Sequence, residues 1–400
     1  MVDSATLPRR CLHEACASFR VKGGRRDVAT ILYSLSGEGR GHCTRVRAVV
    51  ERLRERHRVV LFAPGQAYEP LQKAFARSEV AVRHLRGLRF RYGASGVLAP
   101  LATASGALAY LRKMPGTLAY LDAHLRRERP DLCITDFEPA LPRAARRLGI
   151  PFVSLDHQHF LTVNDLSSLP PRLRAAAWGM SLVVRAYYTG QAATVVSSFC
   201  APPLRPGLRN VHQVGPLLRP ELRRSLPRRE GFLLVYLRRG GMEGVLAALR
   251  RLGLEARVYG AGERPPEGRL TFHPIGESGF LADLASCEAL VTTAGNQVVG
   301  ESLFLGKPVL ALPEPGNFEQ AINAHFLRLG GAGDWADPRR LTPGSVEAFL
   351  NALPLYRDRI GLEARDGTQA AVDLIERQLA REPVSSPSRE TPRPDGPVPA

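Results

Sequence analysis

Lysine is nearly missing from this chain of 400 residues. Only Lys22, Lys73, Lys113 and Lys307 are present, so almost all of the 55 basic side chains are arginine, against 38 acidic ones and a formal net charge of +17. A field of that sign attracts phosphates, in nucleotides or in anionic head groups. The known nucleic-acid motifs and any regular basic–aromatic interleaving are missing, which argues against a nucleic-acid partner. No uninterrupted apolar run of about 18 residues exists, so no membrane-spanning helix is expected. The opening M-V-D-S-A-T-L-P-R-R has no apolar run and no small-residue cleavage site, and no secretory signal is read there. Six scattered cysteines make no disulfide framework, and Cys11 and Cys16, flanking His13, lack the second pair a zinc site needs. Reduced thiols and a cytoplasmic location are the expectation. No G-x-x-x-x-G-K-[ST] excludes a P-loop, and no D-x-D group stands ready for a metal.

What is present belongs to a folded protein of two or three domains, with 44% hydrophobic and 23% charged residues. Residues 1–26 are polar and basic, and 381–400 are rich in proline and serine; both are expected to be disordered extensions. Between them, apolar runs alternate with amphipathic stretches. V-A-T-I-L-Y-S-L (28–35), H-R-V-V-L-F-A (57–63), D-L-C-I-T-D (131–136), P-F-V-S-L-D (151–156) and A-T-V-V-S-S (193–198) predict strands, with helices near 42–56, 67–77 and 139–148. The pattern pauses over 200–230, where proline and arginine suggest a linker. It restarts with strands over 231–237, 255–260, 288–293 and 308–313, and a last helical pattern covers 356–380. The prediction is α/β: two facing Rossmann-like domains with parallel sheets, 27–215 and 216–355, followed by a C-terminal helix.

The first strand runs into S-L-S-G-E-G-R-G-H (34–42). Gly37, Gly39 and Gly41 permit a tight turn and close approach of a ligand, and the helix that follows offers free N–H groups. The spacing is not G-x-G-x-x-G, and Ala63-Pro64 stands where a dinucleotide fold places its ribose carboxylate, so a nicotinamide site is not predicted. His42 is then held at the tip of the first strand, where a neutral imidazole can take a proton from a hydroxyl. Asp136 closes C-I-T-D at the same sheet edge and can orient it. Asp156, His157 and His159 end the next strand and are second candidates for base or acceptor contact. The plainer alternatives are a packing residue for His42, a helix cap for Asp136, and a satisfied histidine network for the others.

In the second half, V-T-T-A-G-N-Q-V-V-G-E-S-L-F-L-G-K-P (291–308) ends a strand and opens a helix. Gly295, Asn296 and Gln297 would present N–H groups to a diphosphate. Glu301, about one and a half turns in, offers paired acceptors to ribose hydroxyls, a role in which its removal leaves the core intact, or is only a solvated helix residue. Glu319 and Gln320 begin a later helix and can read sugar hydroxyls, or merely cap it.

Residues 293–324 resemble the donor-site signature of inverting GT-B glycosyltransferases, the group of the lipid-linked N-acetylglucosaminyl transferase of peptidoglycan synthesis and the UDP-glycosyltransferase superfamily. G-E-G-R-G-H (37–42), D-F-E-P (136–139) and D-H-Q-H (156–159) resemble an archaeal and bacterial branch of it. The resemblance implies the GT-B fold, with the last helix crossing back to the first domain. It implies metal-independent transfer of a hexose-type sugar from a UDP-sugar to an acceptor hydroxyl with inversion, and no cofactor beyond that co-substrate. It implies His42 as base, Asp136 as its orienting partner, Glu301 at the ribose, Glu319 and Gln320 at the sugar, and backbone near Ile275 at the nucleobase. Gly240 and Gly241 match the phosphate-side loop, although L-R-R-G-G lacks the serine or threonine common there; Arg238 or Arg239 is a substitute.

A UDP-sugar 2-epimerase of the same fold and a non-catalytic nucleotide-sugar-binding protein remain alternatives. The acceptor is unknown. Arg83, Arg86, Arg89 and Arg91 precede an apolar helical stretch, which suits either a lipid-linked acceptor with peripheral contact at the inner membrane face or an ordinary core helix.

Overall fold

The computed structural model describes residues 28–37, 40–87, 100–237, 241–363 and 366–381. The first half runs β1 (Thr30–Leu35), α1 (Arg40–Leu53), β2 (Arg58–Pro64), α2 (Tyr68–Ala74), β3 (Ala81–Leu85), α3 (Pro100–Glu128), β4 (Leu132–Asp136), α4 (Ala140–Arg147), β5 (Phe152–Asp156), α5 (Phe160–Val163), α6 (Pro171–Tyr187), β6 (Ala193–Ser197) and β7 (Val211–Val214). Its strands form one parallel sheet in the order β3-β2-β1-β4-β5-β6-β7. After α7 (Pro220–Arg223) come β8 (Leu233–Tyr236), α8 (Met242–Arg251), β9 (Ala256–Tyr259), β10 (Leu270–His273), α9 (Glu277–Ser286), β11 (Ala289–Thr292), α10 (Asn296–Phe304), β12 (Val309–Ala311), α11 (Phe318–Leu329) and β13 (Gly333–Trp335). They build a second parallel sheet, β10-β9-β8-β11-β12-β13. The chain then runs through α12 (Pro343–Asn351), α13 (Leu353–Glu363) and α14 (Thr368–Leu379).

Strands with helices on both faces must be apolar on both sides. In β1, Ile31, Tyr33 and Leu35 join a core with Val46, Val49 and Leu53 of α1, while Leu32 faces the opposite way into one with Phe62, Leu121 and Leu141. Strand order reverses beside β1 in one sheet and beside β8 in the other. The carboxyl ends of β1 and β4, and of β8 and β11, therefore flank open crevices. The turns after β4 and β11 match: Phe137 and Ala294, neither of them glycine, have φ of 53° and 67°.

Some expectations change. The stretch read as a linker contains β7, which pairs with β6. The single helical pattern over 356–380 is two helices, because the chain must pass against the interdomain segment at Gly367. A Cβ there would lie 2.2 Å from the carbonyl oxygen of Gly215. Gly367 N–H donates to Pro216 O at 2.9 Å, and α14 then packs on α1, β6 and β7, back on the first domain. β3, β10, β13 and α6 were not foreseen; A-V-R-H-L and its like are short strands with polar residues and little periodic signal. The extension 1–26, tail residues 382–400, Gly39, Arg89, Arg91, Arg238, Arg239 and Gly240 lie outside the described residues. Among those described, no helix is long and apolar enough to cross a membrane.

Candidate functional site

At the first crevice, α1 begins at once after β1 and carries His42 to within 3.0 Å of Asp136, Nδ1 to Oδ1. Both are buried, Asp136 completely. One turn along the same helix face, Arg45 also grips Asp136, with Nε to Oδ2 at 2.7 Å and Nη2 to Oδ1 at 2.6 Å. Nη2 lies 2.8 Å from Nδ1 of His42 as well, and 3.4 Å from Oε1 of Gln158. Burial works against the charge of Arg45, but the Asp136 carboxylate outweighs it and holds the guanidinium above its ordinary value. Sequence reasoning missed Arg45; its one signal was the i,i+3 spacing from His42.

Asp156 closes β5 at the same edge, and His157 follows it. Burial would raise the Asp156 carboxyl, but His159, Ser154 and the His159 N–H hold it below the usual carboxylate range. Tyr188 O–H donates to it too, at 3.0 Å, so both its oxygens are engaged. His157 reaches across to the second domain: Nδ1 lies 3.2 Å from Ser197 O and Nε2 3.2 Å from Asn323 Oδ1. Burial pushes its pKa down, with Glu319 pulling the other way.

Opposite, the left-handed Ala294 turns β11 sharply into α10, and Gly295, the N-cap, has no side-chain capping bond. A Cβ on Gly41 would stand 3.5 Å from Cβ of Gln297, so the starts of α1 and α10 face each other. Asn296 ties the domains together, accepting from Phe199 N–H at 3.3 Å and donating to Ser197 O at 3.2 Å. Gln297 Nε2 donates to Leu217 O and to Glu301 Oε1, while its Oε1 is buried without a partner. Glu301 is 1% exposed and held by Arg219, with Nε to Oε1 at 3.1 Å and Nη2 to Oε2 at 2.7 Å. The expectation that Glu301 stands apart from the core is corrected by this ion pair. Arg219 continues to Glu277 at 2.9 Å, which Arg47 of α1 meets at 2.9 Å, so a chain of charges runs between the domains. Nothing in P-L-L-R-P marked Arg219 in advance, since only the fold brings position 219 to α10.

The remaining candidates are spread around this cleft. Glu319 and Gln320 begin α11; Gln320 Oε1 accepts from Glu314 N–H at 2.7 Å, a loop-closing role, while Asn317 caps the helix. Ile275 lies exposed between β10 and α9. Gly241 caps α8 with φ of 74°, which its lack of a side chain permits. Beside the His42 loop is a small cavity lined by Ser36, Gly37, Tyr110, Phe137, Glu138 and Tyr187, with Phe137 and Tyr187 stacked 4.4 Å apart. Among the described residues, no group of three or more His, Cys, Asp or Glu is placed to hold a metal ion.

Comparison with known proteins follows the same lines. No curated protein sequence matches. Among solved structures, CalG4, the calicheamicin glycosyltransferase, is similar over 90% of this chain and 100% of its own, with 19% identity and a TM-score of 0.62. Phytolacca americana UGT2, solved with UDP-2fluoro-glucose and pterostilbene, gives 17% identity, coverage of 88% and 99%, and a TM-score of 0.64. Acinetobacter baumannii MurG gives 17% identity, 87% and 99%, and 0.57. At such identities these likenesses show the GT-B fold. Residues 29–354, most of the chain and both crevices, match the family described as Glycosyl transferase family 1, and the chain belongs to that family.

Proposed function

We propose that this glycosyltransferase moves a hexose from a UDP-sugar to an acceptor hydroxyl, with inversion and without a metal ion. The observation that carries the reading is the buried 3.0 Å pair of His42 and Asp136, set opposite the uncapped start of α10. Asp136 holds Nδ1, leaving Nε2 for the acceptor hydroxyl. As the acceptor oxygen bonds to the anomeric carbon, its proton passes to Nε2. The bond from that carbon to the diphosphate breaks, and its electron pair leaves on UDP. Attack from the face opposite the leaving group inverts the centre. The free N–H groups of α10 favour the departing charge, as an ion at a helix N-terminus is favoured generally. Gln297 Oε1 is an acceptor still without a donor. Glu301 Oε1 already accepts from Arg219 and Gln297 and Oε2 from Arg219, which leaves one acceptor position on Oε2 for a ribose hydroxyl.

The experiment is product analysis with UDP-sugars and candidate acceptors, with and without EDTA. Transfer gives free UDP only when acceptor is present, and EDTA leaves the rate unchanged. Isomerised or hydrolysed donor without acceptor indicates the epimerase, and no turnover indicates a binding protein.

A lipid-linked acceptor, met at the membrane surface, is supported by α6. Trp178, Leu182 and Val183 are 68%, 48% and 54% exposed. At 3.6 residues per turn, Trp178 and Leu182 share a central line with Ala175 and Ala186. Arg174 and Arg185 border it on one side and Arg172 on the other, and α6 has no acidic residue. An apolar line between arginines suits an anionic bilayer, where the stems lie flat and the charges reach head groups. A second copy would set arginine against arginine. The helix ends at Tyr187, in the wall of the cavity beside the His42 loop.

A further inference from the structure

We propose that Arg45 is a positioning residue: its fixed charge opposes a second one on the His42 ring, and its Nη2 decides which ring nitrogen is bare. This rests on the reading of His42 as the base. A carboxylate 3.0 Å from an imidazole normally favours the imidazolium strongly. Here the charge of Asp136 is already matched by a guanidinium at 2.6 and 2.7 Å, and that same guanidinium stands 2.8 Å from the imidazole nitrogen. A fixed positive charge so close opposes a second one on the ring.

The hydrogen-bond inventory adds a choice of tautomer. Nη2 of Arg45 carries two hydrogens. One goes to Asp136 Oδ1, and the other has two acceptors in reach, Nδ1 of His42 and Oε1 of Gln158. Turned to Gln158, it leaves Nδ1–H to donate to Asp136, with Nε2 bare and able to take a proton. Turned to Nδ1, it requires the proton on Nε2, which then cannot act as base. Gln158, the third residue of D-H-Q-H, thus acquires a use: it is the acceptor that can take this hydrogen when Nδ1 carries the proton, standing at 3.4 Å against 2.8 Å for the ring nitrogen.

The other charged or titratable groups facing this cluster are few among the described residues. Tyr33 of β1 is buried beside Asp136 and Arg45, and burial keeps its phenol neutral. Asp156, at the end of β5, is paired with His159. His157 follows it, and Glu319 of α11 acts on His157. Gln297 of α10 carries no charge. Among the described residues, Arg45 and Asp136 are therefore the two charges in direct contact with His42.

The test is a titration of the His42 ring by NMR in the full chain, labelled in its histidines, which needs no turnover. The wild-type midpoint is the reference for each variant. Arg45→Gln should raise it by about one pH unit or more, and the acid limb of kcat should move with it. Arg45→Lys keeps the charge but not the two-pronged grip. It should leave the midpoint within a few tenths of the wild-type value while kcat falls. A folded Arg45→Gln with an unmoved midpoint overturns the proposal. If the titrations behave as expected while His42→Ala retains full kcat, the base reading fails and the effect of Arg45 on the ring stands. If His42→Ala loses activity and Arg45→Gln moves nothing, Arg45 alone is dismissed.

Discussion

His157 of the first domain meets Asn323 of the second, with ring Nε2 3.2 Å from amide Oδ1. The other ring nitrogen faces Ser197 O, and the Asn323 amide nitrogen donates to Ala294 O. A neutral imidazole has one N–H, so it can serve only one of its two oxygen neighbours while the amide keeps this orientation. Protonation would serve both, but burial holds the pKa of His157 below its ordinary value.

Stability should therefore fall on the acid side of neutrality. With the folded pKa depressed, the unfolded chain binds the proton first as pH drops. The stability of the neutral ring is present above the ordinary value of about 6.5 and is lost as pH falls through it. Urea midpoints measured from pH 7.5 to 5.5 should decline, and His157→Gln should flatten the decline. The burial-lowered His124, His212 and His325 act in the same direction. Equal slopes for variant and wild type would remove His157 as a source.

His42→Ala should lower kcat by roughly 10²–10⁴-fold, the usual contribution of a general base. Donor affinity should hardly change, because the donor is assigned to the other domain. Asp136→Asn should cost less, through a poorly held ring. Steady-state kinetics at saturating acceptor separates this from a packing role, which would raise KM and leave kcat near normal.

Replacing Glu301 should now affect both binding and folding. Glu301→Ala leaves the buried Arg219 with the more exposed Glu277 as its one remaining carboxylate, a loss of up to about 3–5 kcal/mol. Changing both together, Arg219→Met with Glu301→Leu, should recover much of that, yet UDP affinity should stay weak. Chemical denaturation and calorimetry with UDP read the two effects apart. Wild-type UDP affinity in the double variant would take Glu301 out of the donor site.

The α6 surface predicts sedimentation with vesicles containing an anionic lipid, and little with purely neutral ones. Trp178→Ser with Leu182→Ser should reduce the bound fraction several-fold while leaving the far-ultraviolet circular dichroism unchanged. Undiminished binding by that variant would clear α6 of the role.

Much of the architecture was legible in advance because parallel strands covered by helices must be apolar on both faces, and runs such as T-I-L-Y-S-L have no other use. The glycine turn into His42, the aspartate closing β4 and the turn into α10 were legible for a related reason: a strand end followed at once by a helix start is a local event. β7 escaped notice because V-H-Q-V shows little apolar excess, and its place is earned only by pairing with β6.

The sequence by itself thus determined two repeated units and which residues stand at their strand ends. Tertiary structure alone decided what those residues touch. Arg219 meets Glu301 across 82 positions, Arg45 meets Asp136 across 91, and His157 meets Asn323 across 166. An arginine in a chain full of arginines carries no mark of its partner. Its role is set by whether folding removes it from water next to a carboxylate, and that depends on how distant segments pack.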